Sequence, residues 1–163
     1  MNNNRDFSKN RSYDNKNKGE QNRPNLAEEL SAIQNKRIID KSFEETYADK
    51  ALEVLKNIKP YEMISKAKIR SIYSILCDII ADEAGNSDNR ILSKSVAALK
   101  LFRIHMIYDA GRDKNVKRFI SETGVVGYLR DVEESAGKEK FNLYCKYFEA
   151  LIAYHRFLNP KND

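Results

Sequence analysis

The sequence is poor in the residues that build metal sites and disulfide frameworks. Its 163 residues include two cysteines, two histidines and no tryptophan. Cys77 and Cys145 each lie in an apolar helical pattern, and no Cys-x-x-Cys or His-x-x-x-His spacing occurs. Four soft ligands for zinc therefore cannot be assembled, and a buried, reduced thiol is expected at both positions. We predict no metal site, no cofactor and no disulfide.

Long hydrophobic runs are also missing. No stretch approaches the roughly 18 uninterrupted apolar residues that a membrane span requires. Residues 1–6 are not followed by the apolar segment of a secretory signal. The sequence therefore predicts a cytoplasmic protein that makes no contact with a membrane.

Recognisable catalytic motifs are lacking as well. No Gly-x-Gly-x-x-Gly or Walker-type loop occurs, so the backbone cradle that binds nucleotide phosphates is missing. His105 and His155 lie among apolar neighbours without a nucleophile motif nearby, which indicates structural or surface histidines. The adjacent carboxylates Glu133 and Glu134 point about 100° apart on a helix and are expected on a solvated face. We predict that the chain is not an enzyme and takes no small-molecule substrate.

Positive charge is unevenly distributed along the chain. Of the net charge of +5, residues 1–24 contribute +3 through six basic and three acidic side chains. In the remainder, residues 56–70 hold five basic residues against Glu62 alone, and residues 94–118 hold seven against two acidic ones. A folded part with so small an excess binds a polyanion only if its charges gather on one face.

The pattern of apolar residues predicts an all-α protein. Residues 1–24 are rich in Asn and Lys and offer little apolar surface, so a disordered basic tail is expected there. Residues 25–163 are expected to form a single helical-bundle domain of about five or six helices, because apolar residues recur with helical period. The predicted boundaries are a capping box at Ser42, a helix from Ser65 to Gly85, a long helix from Ser87 to Ala110 stopped by Gly111, a start at Asp113, and a last helix over Phe141–Leu158.

Three strings carry a resemblance to a known family. They are Ser65–Arg70 (SKAKIR), Tyr108–Lys114 (YDAGRDK) and Tyr144–Tyr154 (YCKYFEALIAY), and they occur in this order. Together they resemble the small helical subunit of the type III-A CRISPR interference (Csm) effector complex. The Glu-Ala-Leu-Ile-Ala-Tyr core of the last string is the most specific part, and the resemblance covers roughly residues 64–158.

The resemblance implies a non-catalytic subunit of an RNA-guided effector complex that acts in antiviral defence. Members of this family stack in several copies beside other subunits and line the groove in which guide RNA pairs with target RNA. The expected partners are therefore both RNAs, the other effector-complex subunits and further copies of the chain itself. Matching positions imply contacts to the RNA backbone from Lys68, Arg70, Arg103 and Arg112, with Lys66, Lys114 and Lys117 as further candidates.

Two other functions fit the residues. A helical DNA-binding regulator would use a helix-turn-helix, for which the turn between Ala84 and Ser87 is the candidate. A protein–protein adaptor without a nucleic-acid role would be favoured if the basic clusters lay scattered over the folded surface.

Overall fold

The expected all-α fold is confirmed. The computed structural model describes residues 25–35 and 37–159, and the tail expected over residues 1–24 lies outside them. Within the described chain, β-type pairing is limited to an isolated antiparallel bridge between Arg90 and Gly137. None of the described helices is long and apolar enough to cross a membrane. The described helices are α1 (Leu26–Gln34), α2 (Lys41–Lys56), α3 (Lys66–Glu83), α4 (Ser93–Arg112), α5 (Lys114–Thr123), α6 (Val125–Ser135) and α7 (Lys138–Leu158), with a 3₁₀ turn at Pro60–Glu62 before α3.

Helix α7 forms the centre of the bundle. It packs most extensively against α2 and also contacts α3 and α6. The Phe148 ring lies between 5.9 and 6.3 Å, centroid to centroid, from rings on α3, α4, α5 and α7 itself. The apolar face predicted over Phe141–Leu158 is therefore the core of the fold. Its fully or nearly fully buried members are Phe141, Leu143, Tyr144, Cys145, Tyr147, Phe148, Leu151 and His155.

Local capping signals set most of the helix starts. The Ser65 hydroxyl accepts a hydrogen bond from the Lys68 backbone N–H at 3.2 Å, as predicted for the start of α3. The expected capping box at Ser42 is wrong, because Asp40 caps α2 and accepts from the Phe43 N–H at 3.1 Å. The Ser42 hydroxyl instead donates to the Asp40 carboxylate at 2.8 Å. A carboxylate two residues upstream is thus the acceptor that starts this helix.

The longest predicted helix begins later than expected. The sequence predicts a start near Ser87, whereas α4 begins at Ser93. The Glu83 carboxylate accepts hydrogen bonds from the Leu92 backbone N–H at 2.8 Å and from the Asn86 amide at 2.6 Å. These bonds hold residues 84–92 in a loop, because side-chain acceptors compete with helical backbone bonds.

Candidate nucleic-acid interface

The start of α3, the end of α4 and the start of α5 meet at one end of the bundle. The Lys68 ammonium lies 3.4 Å from the Asp109 carboxylate and joins α3 to α4. The Asn115 amide donates to the Met63 carbonyl oxygen at 3.3 Å and joins α5 to the segment before α3. Lys68 of the first basic stretch (residues 56–70) is therefore brought next to the C-terminal part of the second (residues 94–118) in the folded chain.

A basic patch results at this corner, defined by Lys68, Arg112, Lys114, Lys117 and Arg118. Helical spacing puts the three α5 residues on one exposed face, since they lie three and four positions apart. Within the described chain, Arg112 and Lys114 are exposed and make no ion pair with a carboxylate. Arg118 belongs to the basic run of residues 94–118 but is not among the RNA contacts that the sequence predicts, and the packing of α5 against the segment before α3 brings it to the patch.

Acidic side chains border the patch without burying it. Lys117 pairs with Glu29 of α1, and the Arg118 guanidinium lies 3.3 Å from the Glu122 carboxylate and 4.0 Å from that of Glu62. The Lys117 and Arg118 side chains keep 40% and 46% of their surface exposed. Ion pairs this exposed stabilise a fold by only about 0–1 kcal/mol, so an anionic ligand can replace the carboxylates.

Arg112 is held by a tyrosine one helical turn before it. Its guanidinium donates to the Tyr108 hydroxyl at 3.2 Å and lies 5.5 Å from the centre of that ring. The predicted stop at Gly111 is wrong by two residues, because α4 continues to Arg112 and Asp113 is its C-cap. Asp113 ends α4 and at the same time caps α5, accepting from the Asn115 N–H at 2.8 Å. A single residue therefore fixes how Arg112 and Lys114 lie relative to each other.

Arg70 lies apart from the basic patch. Residues 68 and 70 point about 200° apart around α3, so Arg70 faces away from the α4 side to which Lys68 turns. It is exposed and, within the described ranges, has no hydrogen-bond or ion-pair partner. It forms a separate cationic position on the other side of α3.

Arg103 is engaged in an ion pair between α4 and α6. Its guanidinium donates to both Glu133 carboxylate oxygens, at 2.9 and 3.1 Å. The Glu133 side chain is only 5% exposed and that of Arg103 is 21% exposed. The expectation that Glu133 lies on a solvated face is therefore wrong, since α6 packs that residue inward against α4.

Lys66 and His155 lie where α7 meets the lead-in to α3. Lys66 is 8% exposed, far less than the members of the basic patch. His155 is buried, and its Nε2 donates to the Ile64 carbonyl oxygen at 2.6 Å. Burial lowers the pKa of His155, the bond to Ile64 opposes this, and the charge of Lys66 lowers it further. His155 thus has the structural role expected of it, while His105 is exposed.

A groove of about 450 Å³ borders the basic patch between α1 and the α4–α5 corner. Its lining combines apolar side chains with basic and acidic ones. No set of His, Cys, Asp and Glu side chains among the described residues could hold a metal ion. Its apolar lining residues are Leu26, Leu30, Ile33, Ile107, Ala110 and Ile120, and its other lining residues are Glu29, Gly111, Arg112, Asp113, Lys114 and Lys117.

Both cysteines are free thiols in different surroundings. Cys145 is buried as expected, and burial raises the pKa of its thiol well above the ordinary value. The expectation of a buried thiol at Cys77 is wrong, because that residue lies on the exposed side of α3.

The helix-turn-helix interpretation is also wrong. A DNA-binding helix-turn-helix joins its helices by a turn of about three or four residues. Here α3 ends at Glu83 and α4 begins at Ser93, with the Glu83-anchored loop between them. The geometry that would place a recognition helix in a DNA groove is therefore not present in this pair of helices.

Comparison with known proteins identifies the family. A family model described as Csm2 Type III-A matches residues 40–161, which include every described helix except α1. The CRISPR system Cms protein Csm2 of Enterococcus italicus is 30% identical over 139 residues, covering 79% of this chain and 96% of the relative. The protein of the same name from Streptococcus thermophilus is 28% identical over 123 residues, covering 73% and 96%. A Mycobacterium tuberculosis relative is 27% identical over 100 residues, covering 61% and 78%. The chain therefore belongs to the Csm2 type III-A family, the small subunit of type III-A CRISPR effector complexes.

Proposed function

We propose that this chain is a non-catalytic, RNA-contacting subunit whose basic patch binds the backbone of guide RNA or target RNA. The observation that carries the proposal is that Lys68 of one basic stretch meets the C-terminal part of the other at one corner, through Lys68 with Asp109 and Asn115 with Met63. Phosphate contacts position a protein without reading sequence, and in RNA-guided complexes base pairing with the guide supplies the specificity.

The members of the patch differ in what they offer to a phosphate. Arg112 and Lys114 are exposed and form no ion pair within the described residues, so they are the leading contacts. Lys68, Lys117 and Arg118 are partly exposed and exchange a surface carboxylate for a phosphate oxygen. Arg70 provides a contact on the other side of α3. We assign Lys66 and Arg103 to packing within the fold, because Lys66 is buried and Arg103 forms an ion pair with Glu133.

Stacking of several copies beside other subunits completes the proposal. A few cations per copy bind weakly, and several copies held along one RNA multiply their affinities. The outer face of α4 supports a protein contact, since Leu101 and Ile104 are more than half exposed and lie three positions apart.

Salt dependence of RNA binding tests the patch directly. The full chain is titrated with labelled single-stranded RNA at several salt concentrations, and log Kd is plotted against log salt concentration. Each lost phosphate contact lowers the slope by about 0.7, so Arg112→Ala combined with Lys114→Ala lowers it by about 1.4. We expect the RNA to stay intact with and without Mg²⁺, as the proposed non-catalytic role requires.

A matched control removes the same charge elsewhere. Lys41→Ala combined with Lys146→Ala takes two exposed cations from α2 and α7, which contribute nothing to the patch. This comparison is needed because the six basic residues of 1–24 are present in every variant and attract any polyanion by charge. Equal slope changes in the two double variants, at unchanged helix content, would show that the patch is not the binding site.

A further inference from the structure

Tyr108 is an aromatic ring exposed beside phosphate-binding cations. It is 61% exposed, whereas Tyr128, Tyr144 and Tyr147 are buried in the core. Arg112 holds the ring through a hydrogen bond of 3.2 Å to the hydroxyl and lies 5.5 Å from the ring centre. A ring has two faces, and one arginine covers at most one of them. The other face is available to a planar ligand.

The cation restricts the ring as well as covering it. A free tyrosine on a helix surface samples several rotamers, and ordering it opposes binding. The bond from Arg112 and the attraction between guanidinium and ring limit Tyr108 before any ligand arrives. Lys114 lies two residues beyond Arg112 on the neighbouring helix and lines the same groove as Arg112. Basic groups beside an exposed aromatic ring are the components of single-stranded nucleic-acid sites.

We propose that Tyr108 stacks against an unpaired base of the RNA bound at the basic patch. The inference rests on the proposed function, because the patch supplies the backbone contacts that bring the base to the ring. The ligand class is a single-stranded or locally unpaired ribonucleotide segment, recognised through the face of a base and hence without strong sequence preference. Tyr108 continues the exposed row of Leu101 and Ile104, so a protein contact on this row is the competing outcome.

A fluorescent reporter tests the stacking. The chain contains no tryptophan, so Tyr108→Trp introduces a single indole at the proposed site. Binding of single-stranded RNA should quench its emission, because an indole stacked on a base loses fluorescence. An oligomer of equal length and charge that lacks bases should bind through its phosphates and leave the emission unchanged.

The matched reporter is Leu101→Trp. Leu101 lies on the same face of α4, about 10.5 Å earlier along the axis, and is 54% exposed. It lines a groove together with Asp78 and Asp82, of which Asp82 pairs with Lys94, and no member of the basic patch lines that groove. Its indole should remain unquenched at RNA concentrations that saturate Tyr108→Trp.

RNA affinities of two variants show whether binding depends on the aromatic ring of residue 108 or only on an apolar side chain there. Tyr108→Phe should bind RNA within about twofold of the unmodified chain, whereas Tyr108→Leu should bind about five- to a hundredfold more weakly. The salt slope should stay the same in both variants, since the ring carries no charge. Arg112→Ala, by contrast, should lower the slope.

The outcomes distinguish the two proposals. If the unmodified chain binds no RNA, the proposed function and the stacking both fail. If the chain binds RNA through the patch but Tyr108→Leu binds as well as Tyr108→Phe and Tyr108→Trp is not quenched, stacking is wrong and the proposed function stands. If the Tyr108→Trp emission changes with protein concentration alone and not with RNA, Tyr108 belongs to a protein contact and the stacking is overturned.

Discussion

Two tyrosines of α7, three residues apart, differ in one hydrogen bond. The Tyr147 hydroxyl donates to the Thr123 carbonyl oxygen at 2.8 Å. The Tyr144 hydroxyl is fully buried and has no hydrogen-bond partner among the described residues. Burial raises the pKa of both hydroxyls well above the ordinary value, so both stay protonated at neutral pH. One ring thus contributes a satisfied polar group to the core and the other an unsatisfied one.

Opposite stability changes are expected when the two hydroxyls are removed. Tyr144→Phe should raise the free energy of unfolding by about 1 kcal/mol or more, because an unsatisfied buried hydroxyl costs about 1–3 kcal/mol. Tyr147→Phe should lower it by about 1 kcal/mol through the lost bond to Thr123. Urea unfolding of both variants measures the pair. A loss of stability in Tyr144→Phe would contradict the unsatisfied hydroxyl.

Single residues were predictable from the sequence where their partners are local. Ser65 and Asp113 cap α3 and α5 as expected, because a cap bonds to a backbone group two or three residues away. The ion pair of Arg103 was not predictable, because the carboxylate of Glu133 lies thirty residues away in the sequence, on α6. The run of basic residues in 94–118 gives no sign of which cation faces inward.

Helix α1 is the element held least firmly. It lies outside the range matched by the family model and contributes no buried residue to the core. Its contacts include the ion pair of Glu29 with Lys117 and a bond from Arg130 to the Gln34 carbonyl oxygen at 3.2 Å. The chain leaving α1 passes directly over Gly127 of α6, where an added Cβ would lie 2.2 Å from the Asn35 carbonyl oxygen. Only a glycine permits this approach.

Gly127→Ala should therefore release α1 while the bundle stays folded. Because α1 contributes no buried residue, it should move away from the added methyl group while α6 stays in place. Backbone amides of residues 26–35 should then exchange with solvent at least about tenfold faster, while those of α7 keep their protection. Hydrogen–deuterium exchange measures this by segment. Gly111→Ala is the control, because nothing lies within 4 Å of its added Cβ, and it should leave α1 unchanged. Equal protection of α1 in both variants would mean that Gly127 does not set the docking.

The order of the helices was predictable, because helical periodicity is a local property of the sequence. The start of α4 was not predictable. Residues 87–92 carry no strong helix breaker, and their loop depends on the Glu83 carboxylate and on backbone bonds to the turn before α7. The Ile91 N–H, for example, donates to the Ala136 carbonyl oxygen at 3.0 Å. Such partners are distant in sequence and are found only by packing the bundle.

The stability of the whole molecule should depend on pH through His155. Its pKa in the fold lies below the ordinary value of 6.5, chiefly because it is buried. As the pH falls below about 6.5, the unfolded chain therefore takes up a proton that the folded chain does not. The free energy of unfolding should decrease in this window, by at most about 1.4 kcal/mol per pH unit.

Urea unfolding between pH 7.5 and 5 measures the effect. His155→Gln should remove this slope, since its amide can still donate to Ile64 but does not titrate, while His105→Gln should keep it. A flat profile between pH 7 and 5 would contradict the role of His155.

The Glu83 carboxylate affects stability in a separate, more acidic pH range. Burial opposes its ionisation, but hydrogen bonds from Asn86 and the Leu92 N–H hold its pKa below 4.5. Its contribution to stability is lost only below about that pH.

The basic corner itself could be predicted only in part. Charge counting and the family resemblance identified the two stretches that supply it, and Lys68 lies near the start of α3 while Arg112 and Lys114 lie where α4 ends and α5 begins. The separation of Arg70 from Lys68 also follows from helix geometry. Which cations share one surface depends on how α3, α4 and α5 pack, and Arg118 entered the patch on that ground alone.

The corner is built from three helix ends and not from one helix, which makes it sensitive to how firmly those ends are docked. A strand of RNA laid across Lys68, Arg112 and Lys114 would act as a reversible cross-link between α3, α4 and α5. Binding and docking are then thermodynamically linked: RNA stabilises the arrangement of the three ends, and loosening of that arrangement lowers RNA affinity by the same free energy. Small shifts between the helices would therefore lower the affinity for RNA before the helices themselves unfold.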